Sequence, residues 1–194
     1  MKDIVIATGN QGKINDFQHI FKDYNVVGIK SLIPDFDVEE TGTTFEENAA
    51  LKSEYGAQVL NKIVISDDSG LEVDALNNAP GVYSARYSGS DATDEKNLQL
   101  VLQNMKDEDN RAARFVCVIA VSVPGKPTQT FRGEVEGTLL NEPKGEHGFG
   151  YDPIFYVESH GKTTAEMTGA EKAQISHRGK AIQKMLNSGI IEEA

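Results

Sequence analysis

The sequence predicts an α/β fold that begins as a parallel β-α-β unit, and three observations carry that prediction. The chain opens on a buried-strand pattern, turns through Gly9-Asn10-Gln11-Gly12 and enters an amphipathic helix. A second helix, with its own capping signal, leads straight into a short β-branched run at 63–66, so strands and helices alternate as in a sheet covered by helices. The 194 residues are 39% hydrophobic and 25% charged, a balance that lets a chain of this size bury roughly 70% of its extended surface without disulfide or metal staples.

Residues 3–8, Asp-Ile-Val-Ile-Ala-Thr, make the first strand, and the helix after the turn carries Ile14, Phe17, Ile20 and Phe21. A second strand is expected around 25–29, followed by a loop with Pro34 and the acids Asp35, Asp37, Glu39 and Glu40. Thr44, with Glu47 three residues on, reads as a capping box for a helix to about residue 59. Residues 63–66 form a short strand that ends at Asp67-Asp68. A turn-rich stretch around 77–81 precedes a helix marked by Leu98, Val101, Leu102 and Met105. Residues 114–123 and 128–135 read as a long hairpin across Pro124-Gly125, whose imperfect alternation fits a strand covered on both faces. A glycine-rich loop at 145–150 feeds a strand at 154–157, and residues 172–186 form one closing helix. No repeat, low-complexity stretch or linker divides the chain, so 1–194 is expected to be a single domain, with room for an insertion or second lobe.

Charge and cysteine usage narrow the function classes. Nineteen Lys and Arg against thirty Asp and Glu give a net charge of −11, which argues against nucleic acid or anionic lipid as the main partner. A small anionic ligand stays possible, because screening over about 8 Å lets local cations or a metal dominate one pocket. The single cysteine, Cys117, lies in the apolar run 115–121 and reads as a core residue of a reducing compartment. No apolar stretch approaches the ~18 residues of a membrane span, and Met1-Lys2-Asp3 leads into a strand rather than a signal core; the expected location is the cytoplasm.

Two segments carry most of the candidate chemistry. Thr8-Gly9-Asn10-Gln11-Gly12-Lys13 sits between strand and helix, where backbone N–H groups and a lysine one turn in suit a phosphate; an ordinary turn with a solvated lysine is the competing reading. It is not a Walker A loop, because the glycine spacing is wrong and Ile14 follows Lys13. Ser66-Asp67-Asp68-Ser69-Gly70 places two mutually repelling carboxylates at a strand end, which suits Mg²⁺ shared with substrate phosphates. A turn capped by its own aspartates is the alternative. Asp68-Ser69-Gly70 also fits half of an aspartic protease site, which one copy could complete only by dimerising.

If the strands at 3–8 and 63–66 are parallel neighbours, Asn10, Lys13, Asp67 and Asp68 emerge at one carboxyl edge, where α/β proteins bind ligands, with Glu39 and Glu40 beside them. Asn48 and Lys52 share a helical face, either solvated or aimed into that crevice. Farther on, Phe149-Gly150-Tyr151-Asp152-Pro153 can supply an aromatic platform with a fixed carboxylate, and Ser176-His177-Arg178-Gly179 adjacent donors, with Lys172 on the flank of Ser176. Each is also compatible with a core or surface role. His19, His147 and His160 have no zinc spacing, and Ser69 lacks the strand-turn-helix setting of a nucleophile elbow.

Taken in order, Thr8-Gly9-Asn10-x-x-Lys13, Glu39-Glu40-Thr41-Gly42 with Phe45 and Glu47-Asn48-Ala49, Ser66-Asp67-Asp68-Ser69-Gly70-Leu71, the block from Ala79 to Tyr87, Gly148 to Pro153, and Ser176-His177-Arg178-Gly179 resemble the inosine/xanthosine triphosphate pyrophosphatase family, house-cleaning enzymes for non-standard purine nucleotides. The resemblance runs from about residue 4 to 186. It implies a mixed α/β fold with an elongated central sheet, flanking helices and two lobes around a cleft, a homodimer, and Mg²⁺-dependent attack of water on the α-phosphorus of ITP, dITP or XTP with release of pyrophosphate. By the same resemblance, Thr8, Gly9, Asn10, Gln11, Gly12, Lys13 and Lys52 hold the triphosphate, and Asp68 is base or metal ligand. Glu39 is a second ligand, with Glu40 as its rival. Ser69, Phe149, Gly150, Tyr151, Asp152, Lys172, His177 and Arg178 bind the nucleotide. Donors from His177 and Arg178 would favour the 6-oxo group of hypoxanthine and xanthine over adenine, and Phe149 would stack on the base. A pyrophosphatase for modified pyrimidine triphosphates and a nucleotide-binding module without turnover are the alternatives.

Overall fold

In the computed structural model, which describes all residues from Met1 to Ala194, the opening apolar run is the strand β1 (Asp3–Ile6). It pairs in parallel with β2 (Asn25–Gly28) on one side and β3 (Ile63–Val73) on the other, setting Ile4 against Val26 and Ile63. A strand with neighbours on both edges and cover on both faces buries consecutive residues, which is why Ile4, Val5 and Ile6 are all apolar. Between these strands, α1 (Gln11–Ile20) is N-capped by Asn10, whose side chain accepts from the Lys13 amide at 3.1 Å, and buries Ile14 and Phe17. The next helix, α2 (Phe45–Leu60), is N-capped by Thr44 and closes on Asn61 in the left-handed region. Its expected capping box is half made: the Glu47 amide donates to Thr44, but the Glu47 carboxylate accepts from Thr43 rather than Thr44.

The sheet has seven strands in the order β2-β1-β3-β4-β5-β6-β7, completed by β4 (Ala112–Ser122), β5 (Gln129–Leu139), β6 (Phe155–Val157) and β7 (Lys162–Thr163). It is mixed, since β5, β6 and β7 pair antiparallel. The predicted hairpin is present as β4 and β5, with β4 buried without a break from Val116 to Ser122 and Cys117 among its core residues. α3 (Asp94–Asn104) presents Leu98 and Val101 to the core. No helix is long and apolar enough to cross a membrane.

Two expectations need correction. β3 is not a four-residue strand ending before Asp67: it runs eleven residues and carries both aspartates in its middle. Its first half is held by pairing with β1 up to Ile65, and its second half by Leu71 and Val73, both fully exposure-free. The apolar anchors on either side carry the polar segment through in extended form. Nor is there one closing helix. α4 (Gly169–Ile175) and α5 (His177–Ser188) are separated at Ser176, whose ψ of 124° is extended and whose hydroxyl accepts from the Gly179 amide at 3.1 Å. Serine competes with the backbone for such bonds and favours the start of a helix over its interior. Lys172 and Ser176 therefore do not share one helical flank.

The chain forms two compact units. The first comprises residues 1–68, 118–131 and 182–194, with Val5, Ala7, Ile29, Phe36, Ala57 and Val64 in its core. The second comprises residues 69–117 and 132–181 and packs Leu71, Val73, Leu98, Val101, Met105, Leu139 and Ile154 together.

Candidate active site

In the first unit, the turn after β1 is shaped by its own side chains. The Thr8 hydroxyl accepts from the Asn10 amide at 3.1 Å and Asn10 caps α1, while Gly9 lies exposed on the turn and Gln11 and Gly12, expected in the turn, are instead the exposed first residues of α1. Lys30 lies over Gly9, its stem 3.1 Å from where a Cβ would stand. From the first turn of α1, Lys13 Nζ reaches Asp67 on β3, 2.9 Å from Oδ2 and 3.2 Å from Oδ1. The parallel pairing of β1 with β3 makes this possible, because β3 runs on past the last residue of β1. From α2, Lys52 Nζ donates to the Asp67 carbonyl at 2.6 Å and pairs with Glu40 at 3.2 Å. Glu40 is half-buried in this cluster and Glu39 is exposed.

Asp68 is the odd member. Its Oδ2 is buried with no hydrogen-bond partner. Burial raises its carboxyl pKa to about 7, and Glu40 and Asp67 add to the rise, whereas Lys52 and the Asn48 amide oppose it. Three carboxylates, Glu40, Asp67 and Asp68, thus share two ammonium groups, Lys13 and Lys52. No three acids, histidines or cysteines form a ready-made metal centre. The donor set is all oxygen, which suits a hard cation held by one or two carboxylates, with substrate oxygens supplying the rest.

The residue after Asp68, Ser69, lies in the second unit and lines a cavity of about 420 Å³ there, together with Phe149, Lys172, His177 and Arg178. Asp152 is only 5% exposed and fully engaged: Oδ2 accepts from Lys172 Nζ at 2.6 Å and from the Phe149 amide at 3.0 Å, and Oδ1 from Thr164 at 2.9 Å. Its carboxylate holds the 148–152 turn and orients Lys172, whose Nζ stands 5.3 Å from the centre of the Phe149 ring. Phe149 is 73% exposed, so its ring is open to contact at the cavity. Tyr151 turns inward instead. Its hydroxyl donates to the Ser84 carbonyl at 2.6 Å, and burial raises its pKa. The Gly150 amide donates to Asp94 at 3.1 Å.

His177 opens α5 and stacks on Phe115 of β4, ring centres 5.4 Å apart and planes 22° from parallel. Gly133 of β5 lies directly beneath; a Cβ there would run into the His177 carbonyl and come within 2.7 Å of the Ala181 amide. Sequence reasoning missed Phe115, Asp94 and Ser84. Phe115 is indistinguishable from a core strand residue, and Asp94 from a first-turn acid behind the Thr93 cap.

Residues 4–188 match the model of the Ham1 family. A Staphylococcus epidermidis protein described as a dITP/XTP pyrophosphatase is 62% identical over 182 residues, covering 94% of this chain and 93% of its own length. A Staphylococcus aureus protein of the same description is 59% identical over the same shares. Among solved structures, the Staphylococcus aureus Ham1 protein superposes with a TM-score of 0.95 at 56% identity over the whole of both chains. A HAM1 protein from Coxiella burnetii gives 0.91 at 41%, again over the whole of both. The family-model match and these identities across nearly the full length place the chain in the Ham1 family.

Proposed function

We propose that this chain hydrolyses the non-standard purine nucleoside triphosphates dITP, ITP and XTP to the monophosphate and pyrophosphate. The relatives' descriptions as dITP/XTP pyrophosphatases support the reaction and the substrate class. The observation that carries the mechanism is Asp68, a half-buried carboxylate with one oxygen, Oδ2, buried and unpartnered, beside Lys52 and next to the pocket-lining Ser69.

The triphosphate belongs at Lys13, Lys52, the Thr8–Asn10 turn and the first residues of α1, Gln11 and Gly12. A unit charge 4 Å from a lysine is attracted by about 4 kcal/mol at an effective dielectric of 20, which offsets repulsion from a protein of net charge −11. Magnesium is the metal this oxygen donor set suits; Asp68 would hold it with a glutamate of the 39–40 pair, of which Glu40 acts electrostatically on Asp68. It would supply Lewis acidity toward the phosphoryl oxygens. Asp68 takes the proton of the attacking water as the water oxygen bonds to the α-phosphorus, the bond from that phosphorus to the bridging oxygen breaks, and pyrophosphate leaves.

The base belongs in the second unit, with Phe149 as the stacking face and donors from His177 and Arg178 toward O6. Adenine would leave those donors unmet, at roughly 1 to 3 kcal/mol each. Asp152 acts by holding Lys172 and the Phe149 backbone. Location in the cytoplasm and assembly as a homodimer complete the reading. The test is purified protein with ITP, dITP, XTP, ATP and dTTP, with Mg²⁺ or EDTA, scored for monophosphate plus pyrophosphate against diphosphate plus phosphate. The 6-oxo purines should be cleaved to pyrophosphate, with activity lost on chelation. Preference for dTTP, or binding without turnover, would overturn the reading.

A further inference from the structure

The mechanism above leaves Asn48 unused, although its side chain is completely buried in the first turn of α2. Its Oδ1 accepts from the Gly42 amide at 2.8 Å. That bond fixes which end of the amide points where, since Gly42 N–H needs an acceptor. The loop lies so close that a Cβ on Gly42 would stand 2.7 Å from Asn48 Oδ1 and 2.6 Å from Glu47 Cβ, a contact only glycine permits. The other end, Nδ2, is buried with no hydrogen-bond partner, as is Asp68 Oδ2; these two are the only such atoms in the protein. A donor and an acceptor, both orphaned and both inside the same cluster, are complementary. The amide already acts on the Asp68 carboxyl in the direction that favours its ionised form.

We propose that Asn48 is a positioning residue that ties the loop bearing Glu39 and Glu40 to Asp68, its carbonyl end holding Gly42 and its NH₂ end orienting the Asp68 carboxylate for the reaction. This rests on the reading of Asp68 as the proton acceptor. Glu47 provides the control, because its carboxylate fastens the same loop one residue later, at the Thr43 amide 2.9 Å away. A residue that merely anchors the loop would behave as Glu47 does.

Asn48→Ala should lower kcat for ITP with Mg²⁺ about tenfold or more while KM stays within about threefold, as for removal of a group that orients a working side chain. Glu47→Ala should leave kcat within about twofold. In ¹H–¹⁵N spectra of the protein without nucleotide or metal, the Asn48 side-chain NH₂ pair should move in Asp68→Asn and stay in place in Glu47→Ala. Equal kcat losses in the two alanine variants, or an NH₂ pair indifferent to Asp68→Asn, overturn the proposal. Should Asn48→Ala fail to fold, the spectra of the Asp68→Asn and Glu47→Ala variants decide alone, with the resonance assigned through its own backbone. If wild-type protein fails to cleave ITP, the functional reading falls while the spectral test of the Asn48–Asp68 link still stands or fails by itself.

Discussion

Asp68 combines two demands that oppose each other. A carboxyl raised from 3.8 to about 7 by burial is stabilising when protonated and costs stability when ionised, so its contribution is fully present below about pH 4 and is lost as pH rises through 7. Asp68→Asn removes the charge and keeps the shape. At pH 8 this variant should unfold on the order of 1 to 3 kcal/mol less readily than wild type, a gain of several degrees in Tm, while losing turnover altogether. Thermal melts at pH 5 and pH 8 check the sign, since the gain should shrink at the lower pH. In wild-type protein without metal, the carboxyl ¹³C resonance of Asp68 should titrate near 7. The paired aspartates were legible in the sequence as a site, because adjacent carboxylates demand a balancing charge. Their division of labour was not legible: that Asp67 is met by Lys13 and Asp68 is left over depends on which face of β3 each one takes.

Among the elements, the break between α4 and α5 bears on the pocket, because residues on both sides of it line the cavity. It puts His177 and Arg178 at the start of a helix rather than in the interior of one. The sequence showed the apolar spacing of α5 but hid the break, because Ser176 fits a helix as readily as a cap until its ψ is known. Ser176→Ala should cost about 0.5 to 2 kcal/mol of stability through the lost bond to Gly179. Gly133→Ala tests the same start from below. A methyl group there displaces the His177 carbonyl, so the ratio of ITP to ATP cleavage should fall along with Tm. An unchanged ratio would mean that α5 does not set base preference. The length of β3 was the other hidden feature. Local patterning sees three β-branched positions and Ser66, whereas Leu71 and Val73 are fixed only by packing against residues far along the chain such as Leu98 and Leu139.

For the molecule as a whole, the residues expected to meet phosphate and those expected to meet the base fall in different units, with Lys13 and Lys52 in the first and His177 and Arg178 in the second. Lys13→Ala should raise KM for ITP and ATP alike, about tenfold, while Arg178→Ala should change their ratio. In the double variant the two losses should add within about 0.5 kcal/mol, as measured by kcat/KM. The β-α-β start and the closing order of motifs were readable from the sequence, because periodicity and capping are local. The assignment of residues to two cores was not, since each unit is assembled from separated stretches.

That interleaving has a genetic consequence. The polypeptide passes from one unit to the other at 68/69, 117/118, 131/132 and 181/182, and each crossing falls inside β3, β4, β5 or α5 rather than in a connecting loop. Neither unit is one continuous stretch, so neither can be excised as a cassette, fused to another gene or moved by a single recombination event.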